Sequence, residues 1–333
     1  MEKQDGRHIP QKKIKILFVH HIKCRGFIKT DYDILIEKYD VTDFYYRGIQ
    51  DIPCLMFECR RHDLIFGWFM SLHTFFTTFN SKKKIYVAGG YDAAKQSDYQ
   101  YGLACRWYTK LLVKRCLKKA DVVLSVSDFN KTELPKNYGY ADAALVYNSV
   151  DTDYFKPDKK KTDGLVVTVA SMDMVSFFRK GVDVFVELAR ESARLGLPYT
   201  FVVVGRYTDE LKKYVMDVQK HIPNLQFTGF VSDEELLKWY QKAMVYCQLS
   251  KYESFGLSLV EAMSCGCIPV ISGRAALPEV VGGMGVVLDN DDPVSSLKQA
   301  VECDSGVECR KRVVELFSKE SRKQVLYDVL GGI

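Results

Sequence analysis

The chain has 333 residues, of which 47% are hydrophobic and 27% are charged, with a formal net charge of +5. This balance is typical of a soluble globular protein with room for two domains, and it excludes disordered, collagen-like and coiled-coil proteins. The excess positive charge lies in residues 1–150, which hold 24 Lys and Arg against 16 Asp and Glu, whereas residues 151–333 hold 23 against 26. The first fifteen residues are polar and basic, so we expect no secretory signal and a cytoplasmic protein.

Short apolar runs alternate with helical segments in the first half of the chain. Strands are predicted at 14–19, 63–66, 85–88, 122–126 and 143–146, and an amphipathic helix at about 99–120. This alternation is typical of a parallel sheet covered by helices. Residues 151–164 concentrate charge around Pro157 and interrupt the pattern, which indicates a linker. We therefore predict two domains, at 1–152 and 153–333.

The alternation restarts after the linker. Strands are predicted at 165–169, 199–204, 225–228, 245–249 and 268–271, with helices at 182–195, 208–221, 233–243 and 255–265. A last helix at about 313–330 is predicted to pack back across the cleft onto the first domain. The fold class is therefore α/β, with two doubly wound, Rossmann-like units that face one cleft. Ligands of open α/β sheets bind at the carboxyl ends of the strands, and here both sets of ends meet.

The segment YESFGLSLVEAMSCGCIPV at 252–270 carries two carboxylates eight residues apart, Glu253 and Glu261. Eight residues of helix rise about 12 Å, so these groups can hold opposite ends of an extended ligand. Between them, free backbone N–H groups near residues 255–257 form an anion site at the predicted start of a helix. Hydroxyl, anion, hydroxyl is the order of polar groups in a nucleoside diphosphate sugar.

This segment resembles the signature of family 4 glycosyltransferases, which are retaining enzymes of the GT-B fold. Four further segments are similar to that family in order and spacing: NSVDTDYFKP at 148–157, RKG at 179–181, LQFTGFVSDEELLKWYQKA at 225–243 and LPEVVG at 277–282. The resemblance is dense over about 120–285. It implies transfer of a hexose from a nucleoside diphosphate sugar to a hydroxyl acceptor, with no metal and no other cofactor.

The resemblance also implies roles for individual residues. Glu253 would contact the hydroxyls of the donor sugar, Glu261 the ribose hydroxyls, and Arg179 with Lys180 the diphosphate. Fixed cations and aligned amides of this kind stabilise the charge that develops on a leaving diphosphate. The other residues expected to bind the donor are Ser254, Phe255, Gly256, Leu257, Gly205 and Gly26.

The sequence departs from the family pattern at two phosphate-facing segments. The strand end at 170–172 lacks the usual Gly-Arg, and Arg179 is the candidate to replace that guanidinium. The Gly-Gly loop after the first strand is reduced to Gly26, which still permits close approach of a phosphate. On the acceptor side we single out Asp92, which is equally compatible with a plain turn, and His20 and His21, which are also compatible with structural histidines.

Other patterns allow more than one interpretation. The Asp-x-Asp tripeptides at 31–33 and 151–153 match a metal-binding signature of the other major glycosyltransferase fold, but their context favours coincidence. Ten cysteines without a CxxC pair are interpreted as buried thiols. A basic segment from Arg106 to Lys119 suits an anionic membrane surface or a lipid-phosphate acceptor, or else a solvated helix face. No nucleic-acid module is recognisable.

Two further functions remain compatible with the sequence. A nucleotide-sugar epimerase on the same fold would consume the sugar nucleotide without an acceptor. A donor-binding scaffold without turnover is also possible, since the strand end at 170–172 is altered. A phosphorylase is disfavoured because no context for a pyridoxal-bearing lysine is seen.

Overall fold

The computed structural model describes residues 13–23, 26–158 and 161–332, and within these ranges the strands form two six-stranded sheets. All strand pairs that make up the sheets are parallel. The first sheet contains β1 (Lys15–His20), β2 (Asp40–Tyr45), β3 (Leu64–Trp68), β4 (Lys83–Ala88), β5 (Val122–Ser125) and β6 (Ala143–Leu145), in the order β2-β1-β3-β4-β5-β6. The second contains β7 (Thr162–Val169), β8 (Thr200–Val204), β9 (Leu225–Phe227), β10 (Ala243–Gln248), β11 (Ile268–Ile271) and β12 (Val286–Val287), in the order β12-β11-β10-β7-β8-β9.

Helices connect successive strands of both sheets, and further helices follow the last strand of the second sheet. In the first half these are α1 (Gly26–Ile36), α2 (Ile52–Arg61), α3 (Leu72–Thr77), α4 (Trp107–Lys119) and α5 (Asp128–Tyr138). In the second half they are α6 (Met174–Arg179), α7 (Val182–Arg194), α8 (Asp209–His221), α9 (Asp233–Lys242), α10 (Leu257–Ser264), α11 (Leu277–Val281), α12 (Pro293–Glu302), α13 (Gly306–Phe317) and α14 (Lys319–Gly331). The predicted α/β class with two doubly wound units is confirmed.

Central strands such as β1, β3 and β4 are almost completely buried, which is why they appear as continuous apolar runs in the sequence. One hydrophobic cluster joins both halves, because it includes Phe18 and Val87 of the first sheet together with Val167 and Tyr246 of the second. The loops that follow β4 and β10 meet at the boundary between the halves, because Gly90 packs against Ser254. This boundary is where the candidate site lies.

Two helix predictions need correction. The helix predicted at about 99–120 begins only at Trp107, since the preceding residues form two 3-10 turns and a backbone bridge between Gln96 and Tyr101. The single helix predicted at about 313–330 is two helices, α13 and α14, that meet at Ser318. The Ser318 hydroxyl caps α14 by accepting from the Ser321 N–H, a bond that fixes the start of a new helix.

Helix α14 packs against α1 of the first half. Its Tyr327 hydroxyl donates to the Ile34 carbonyl at 2.9 Å, and its Arg322 forms a buried ion pair with Asp31. Asp31 begins one of the two Asp-x-Asp tripeptides, so its carboxylate is occupied by this ion pair. In the other tripeptide, Asp151 accepts from the N–H groups of Asp153 and Tyr154 in a local turn. Both observations agree with the structural interpretation of these tripeptides.

Candidate active site between the two sheets

A cavity of about 240 Å³, here called the interdomain cavity, is lined by residues of both halves. From the first half it receives Phe27, Gly89, Tyr101 and Asn148, and from the second Lys180, Gln248, Glu253, Ser254, Phe255, Gly256, Leu257 and Ser258. The predicted site residues among them are Lys180 and the segment 253–257. Because 73 positions of sequence separate Lys180 from Glu253, only the fold brings them to one place.

The start of α10 forms one wall of the interdomain cavity. Gly256 is the residue that precedes α10, and Leu257 and Ser258 form its first turn. The first backbone N–H groups of a helix have no intrahelical partner, and the helix dipole places partial positive charge there. Residues 255–257 therefore lie at a helix start that lines a cavity, and their role as an anion site stays a prediction.

Lys180 and Glu253 form an ion pair in this cavity, with 2.6 Å between Nζ and a carboxylate oxygen. Both side chains are only partly exposed, at 25% and 17%. Lys180 follows α6 directly, and Glu253 lies in the loop between β10 and α10. Lys180 thus lies near the start of α10, where its positive charge suits a phosphate. Glu253 lies next to Lys180, and its carboxylate suits a sugar hydroxyl.

Arg179 extends across the boundary to the first half. Its guanidinium lies over the ring of Tyr101, 4.3 Å from the ring centroid. Its carbonyl accepts from the Lys251 N–H at 2.8 Å, which ties the end of α6 to the loop after β10. The predicted cation is therefore near the cavity, but its side chain contacts an aromatic ring.

Glu261 lies on α10, one turn beyond the cavity-lining Ser258. The Tyr240 hydroxyl donates to its carboxylate at 2.9 Å. Burial raises the pKa of Glu261 to about 7, and the negative charge of Asp233 acts in the same direction. A carboxylate in such surroundings gains from further hydrogen-bond donors, and ribose hydroxyls are donors of this kind.

The two halves are in direct contact around Ser254. The Ser127 hydroxyl of the first half donates to the Ser254 carbonyl at 2.6 Å. Gly90 is packed so closely that a Cβ atom there would lie 2.0 Å from the Ser254 hydroxyl oxygen. Only glycine permits this approach, so the two halves are packed closely against each other at this point.

Glu279 makes a second contact between the halves. Its carboxylate accepts from the N–H groups of Asp128 and Phe129, at 2.7 and 3.0 Å, and so caps α5 of the first half. Tyr147 is also next to this carboxylate, and burial together with Glu279 raises the pKa of Tyr147. A carboxylate at a helix start is favourable because it satisfies free N–H groups and complements the helix dipole.

We expect Glu279→Ala to favour an open arrangement of the halves, since the cap contributes about 0.5–2 kcal/mol to the closed form. Small-angle X-ray scattering should show a larger radius of gyration for this variant than for the wild type. Glu187→Ala is the control, because Glu187 is exposed and pairs only within α7, with Arg190. Equal radii for all three proteins would contradict the assigned role of Glu279.

Two predicted glycines lie at the edges of the site. Gly205 follows β8 with φ of +131°, and a Cβ atom there would lie 2.1 Å from the Ala170 carbonyl oxygen. Close packing of the ends of β7 and β8 therefore requires this glycine. Gly26 opens α1, directly before the cavity-lining Phe27, and the space around it is open. Contact of either glycine with a donor stays a prediction.

A second cavity of about 650 Å³, here called the first-domain cavity, adjoins the interdomain cavity. Both are lined by Gly89 and Tyr101. Aromatic and aliphatic side chains form much of its wall: Ile22, Tyr46, Phe69, Leu72, Tyr91 and Leu103. Polar groups there include Arg47, Ser71 and the predicted acceptor-side residues His21 and Asp92.

The three acceptor-side predictions have different surroundings. Asp92 is completely buried, and its carboxylate accepts from the N–H groups of Met70 and Gly90, both at 2.9 Å. Burial raises the pKa of Asp92 to about 6. His20 is also buried, with its ring nitrogens 2.7 Å from Asp43 and 2.5 Å from the Ile22 carbonyl. Asp92 and His20 therefore hold the wall of the cavity in place.

His21, in contrast, is exposed and lines the first-domain cavity. Its ring lies 4.8 Å from that of His73, centroid to centroid. Partial burial lowers the pKa of His21, and the neighbouring His20 adds to this effect. Among the predicted histidines, His21 is thus the one placed to contact a ligand.

Sequence reasoning did not single out several residues that line the interdomain cavity, among them Asn148, Gln248 and Tyr101. Asn148 belongs to the NSVD segment, and its side-chain oxygen is buried without a hydrogen-bond partner in the described structure, so a ligand donor could satisfy it. Gln248 is a polar residue at the end of the apolar strand β10, which is a usable signal. Tyr101 lies in an irregular segment, and nothing in the sequence marks it.

Comparison with known proteins agrees with this geometry. Residues 149–302 match the family model described as Glycosyl transferases group 1. The chain is 26% identical over 198 residues to O-antigen chain mannosyltransferase B from Escherichia coli, which is 56% of this chain and 52% of that protein. It is 29% identical over 244 residues to MMP alpha-(1->4)-mannosyltransferase from Mycolicibacterium hassiacum, which is 66% of this chain and 58% of that protein.

A solved structure shares the fold over nearly the whole chain. The structure of Anabaena Alr3699/HepE in complex with UDP and glucose superposes with a TM-score of 0.72 at 16% identity, and the match covers 96% of this chain and 100% of that one. The match to the two curated relatives named above spans little more than half of their length. Residues 149–302 are therefore similar to group 1 glycosyltransferases, and the two facing sheets have the GT-B fold.

Proposed function

We propose that this protein transfers a hexose from a nucleoside diphosphate sugar to a hydroxyl acceptor, with retention at the anomeric carbon and without a metal. The observation that carries the proposal is the Lys180–Glu253 pair at the start of α10, inside a cavity that both halves enclose. The two named relatives are mannosyltransferases, and the structure of Anabaena HepE holds UDP and glucose. These names support the same class of donor for this chain.

The proposed chemistry needs positive charge where the leaving diphosphate gains negative charge. Lys180 and the first N–H groups of α10 supply it from fixed positions, and Arg179 is near enough to join them. Glu253 holds a hydroxyl of the donor sugar and keeps Lys180 in place. In the family mechanism implied by the resemblance, the acceptor hydroxyl oxygen attacks the anomeric carbon while the bond from that carbon to the diphosphate breaks. A phosphate oxygen of the leaving diphosphate takes the proton of the hydroxyl.

The closed contacts around Ser254 and Glu279 complete the site, since its walls come from both halves. Separation of the two halves would admit the donor, and their closure over the donor would exclude water from the site. The first-domain cavity is the proposed acceptor site, because it is the space that adjoins the interdomain cavity on the side of His21.

The test is incubation of the protein with UDP-, GDP- and ADP-sugars, with and without glycolipid and lipid-phosphate acceptors. Release of nucleoside diphosphate that depends on an acceptor supports the transferase. Binding without release would favour the donor-binding scaffold, and conversion of the sugar nucleotide without an acceptor would favour the epimerase. Unchanged release after addition of EDTA is expected, and its loss would contradict metal independence.

We also propose that the first half docks onto an anionic membrane surface. Helix α4 exposes Trp107, Tyr108 and Leu111, and its basic residues Lys114 and Lys118 lie on the same exposed face. Arg115 stacks on Phe79, which is itself exposed, with 4.4 Å to the ring centroid. Aromatic, aliphatic and basic groups on one face suit a membrane interface. In the part of the chain that the structure describes, no helix has the length and apolarity to cross a bilayer.

Vesicle flotation tests this surface. Wild type should float with vesicles containing phosphatidylserine at low salt, and the bound fraction should fall as salt rises. Lys114→Ala/Lys118→Ala should weaken binding by about tenfold or more, because each lysine near an anionic surface contributes about 1 kcal/mol. Lys212→Ala/Lys213→Ala on α8 is the control with the same loss of charge. Equal binding of the two double variants to the vesicles, or no binding of the wild type, would contradict the proposed membrane surface.

A further inference from the structure

Tyr101 stands between the two cavities. Its side chain lines the interdomain cavity together with Lys180 and Glu253, and it also lines the first-domain cavity together with His21. The ring lies against Tyr91 and Tyr252, with centroids 5.0 and 5.8 Å away. A donor and an acceptor placed in the two cavities would therefore meet at this ring.

The backbone of Tyr101 is fixed within the first half. Its N–H donates to the Gln96 carbonyl at 3.1 Å, and its carbonyl accepts from the Gln96 N–H at 2.9 Å. The Cys105 thiol also donates to that carbonyl, at 3.3 Å. Any displacement of the ring must therefore come from rotation of the side chain.

Arg179 contacts the same ring from the second half, beside Tyr252, and its guanidinium lies 4.3 Å from the ring centroid. The same residue adjoins Lys180 in the chain and is a candidate ligand of the donor diphosphate. A guanidinium binds phosphate through charge-assisted, two-pronged hydrogen bonds, which are stronger than its attraction to an aromatic face. A bound diphosphate would thus draw Arg179 away from Tyr101.

We propose that Tyr101 is a movable partition, which Arg179 holds between the donor and acceptor cavities until a donor diphosphate takes over the guanidinium. This proposal rests on the proposed function. Released from Arg179, the ring turns and opens the interdomain cavity to the acceptor. Before a donor binds, the ring keeps the two cavities apart, so the partition favours binding of the donor before the acceptor. Tyr101 is a positioning residue in this scheme.

Movement of the ring can be followed in Tyr101→Trp through the fluorescence of the new tryptophan. Tryptophan is a suitable replacement because its ring also stacks on a guanidinium. Calorimetry with UDP, GDP and ADP first identifies a nucleotide that binds. Acrylamide quenching of tryptophan emission is then compared with and without that nucleotide, after subtraction of the wild-type signal from Trp68, Trp107 and Trp239. Tyr108→Trp on the exposed face of α4 is the matched control.

The partition predicts that nucleotide increases the quenching of the residue at position 101, because the ring turns out into the first-domain cavity, and leaves Tyr108→Trp unchanged. If the ring does not move, the nucleotide should leave the quenching of the tryptophan at position 101 unchanged or reduce it. This result would overturn the proposed partition but not the binding of nucleotide by the protein. If calorimetry detects no binding of any of the three nucleotides, the proposed function fails and the partition fails with it.

Removal of Arg179 provides a second measurement. Without nucleotide, the tryptophan at position 101 should be quenched more in Tyr101→Trp/Arg179→Ala than in Tyr101→Trp, because the guanidinium no longer holds the ring. Thermal unfolding of both variants checks that the fold is intact. Equal quenching of the two folded variants would contradict a ring that Arg179 holds in place.

Discussion

Lys180→Ala should lower acceptor-dependent release of nucleoside diphosphate by about 10²–10³-fold, the usual effect of removing one group that stabilises a developing charge. Lys180 is the cation that lies both in the interdomain cavity and within 2.6 Å of Glu253. Its loss removes charge stabilisation from the leaving diphosphate and leaves the Glu253 carboxylate beside it unpaired. The effect should fall on kcat more than on KM, because that charge grows in the transition state.

Lys251→Ala is the matched control for this experiment. Lys251 pairs with Asp183 at 3.5 Å, and both side chains are partly buried to a degree similar to that of Lys180 and Glu253. It therefore tests whether loss of any such ion pair near α7 impairs the enzyme. Glu253→Gln keeps the size of the side chain and removes its charge, and we expect a large loss of activity from it as well. Full activity of Lys180→Ala and Glu253→Gln with an accepted donor would contradict the site assignment.

Arg322→Ala should lower the free energy of unfolding by about 3–5 kcal/mol, as expected when one partner of a buried ion pair is removed. Arg322 and Asp31 are 1% and 0% exposed, and one guanidinium nitrogen lies 2.7 Å from the Asp31 carboxylate. Arg322 also donates to the Val146 carbonyl at 3.0 Å, and the indole N–H of Trp68 donates to Asp31 at 2.9 Å. In Arg322→Ala, the buried Asp31 carboxylate would lose its positively charged partner and keep the hydrogen bond from the neutral indole N–H of Trp68.

Urea unfolding followed by circular dichroism measures this loss. Lys323→Ala is the control on the same helix, because its ion pair with Glu37 is exposed to solvent, and we expect a much smaller effect from it. The double variant Asp31→Leu/Arg322→Met should recover much of the stability, since it removes both charges together. If Arg322→Ala and Lys323→Ala destabilise the protein equally, the buried pair does not have the role assigned to it.

Much of the fold can be predicted from the sequence because parallel strands are buried on both faces. Strands such as β3 and β11 consist of consecutive buried residues and stand out as apolar runs. The pattern does not predict β2, because this edge strand is mostly exposed and its sequence, DVTDFY, contains two aspartates. Nor does it predict the break between α13 and α14, since a serine inside a helical pattern does not by itself indicate a new cap.

The part of the candidate site that comes from one continuous segment can be predicted from the sequence. Residues 253–257 belong to a recognisable motif, and the structure places them and Lys180 around one cavity. Contacts across the cleft cannot be predicted in this way, because they depend on how the halves meet. The stacking of Arg179 on Tyr101, the cap that Glu279 provides to α5 and the buried surroundings of Asp92 all belong to this class.

The most direct test of the account is a crystal structure of the protein with the nucleoside diphosphate that calorimetry selects. We expect the diphosphate at the first turn of α10, within hydrogen-bond distance of Lys180, with the ribose towards Glu261. We also expect that Arg179 has left Tyr101 for the phosphates. A nucleotide bound in any other place, with Glu253 and Glu261 out of contact with it, would contradict the central claim.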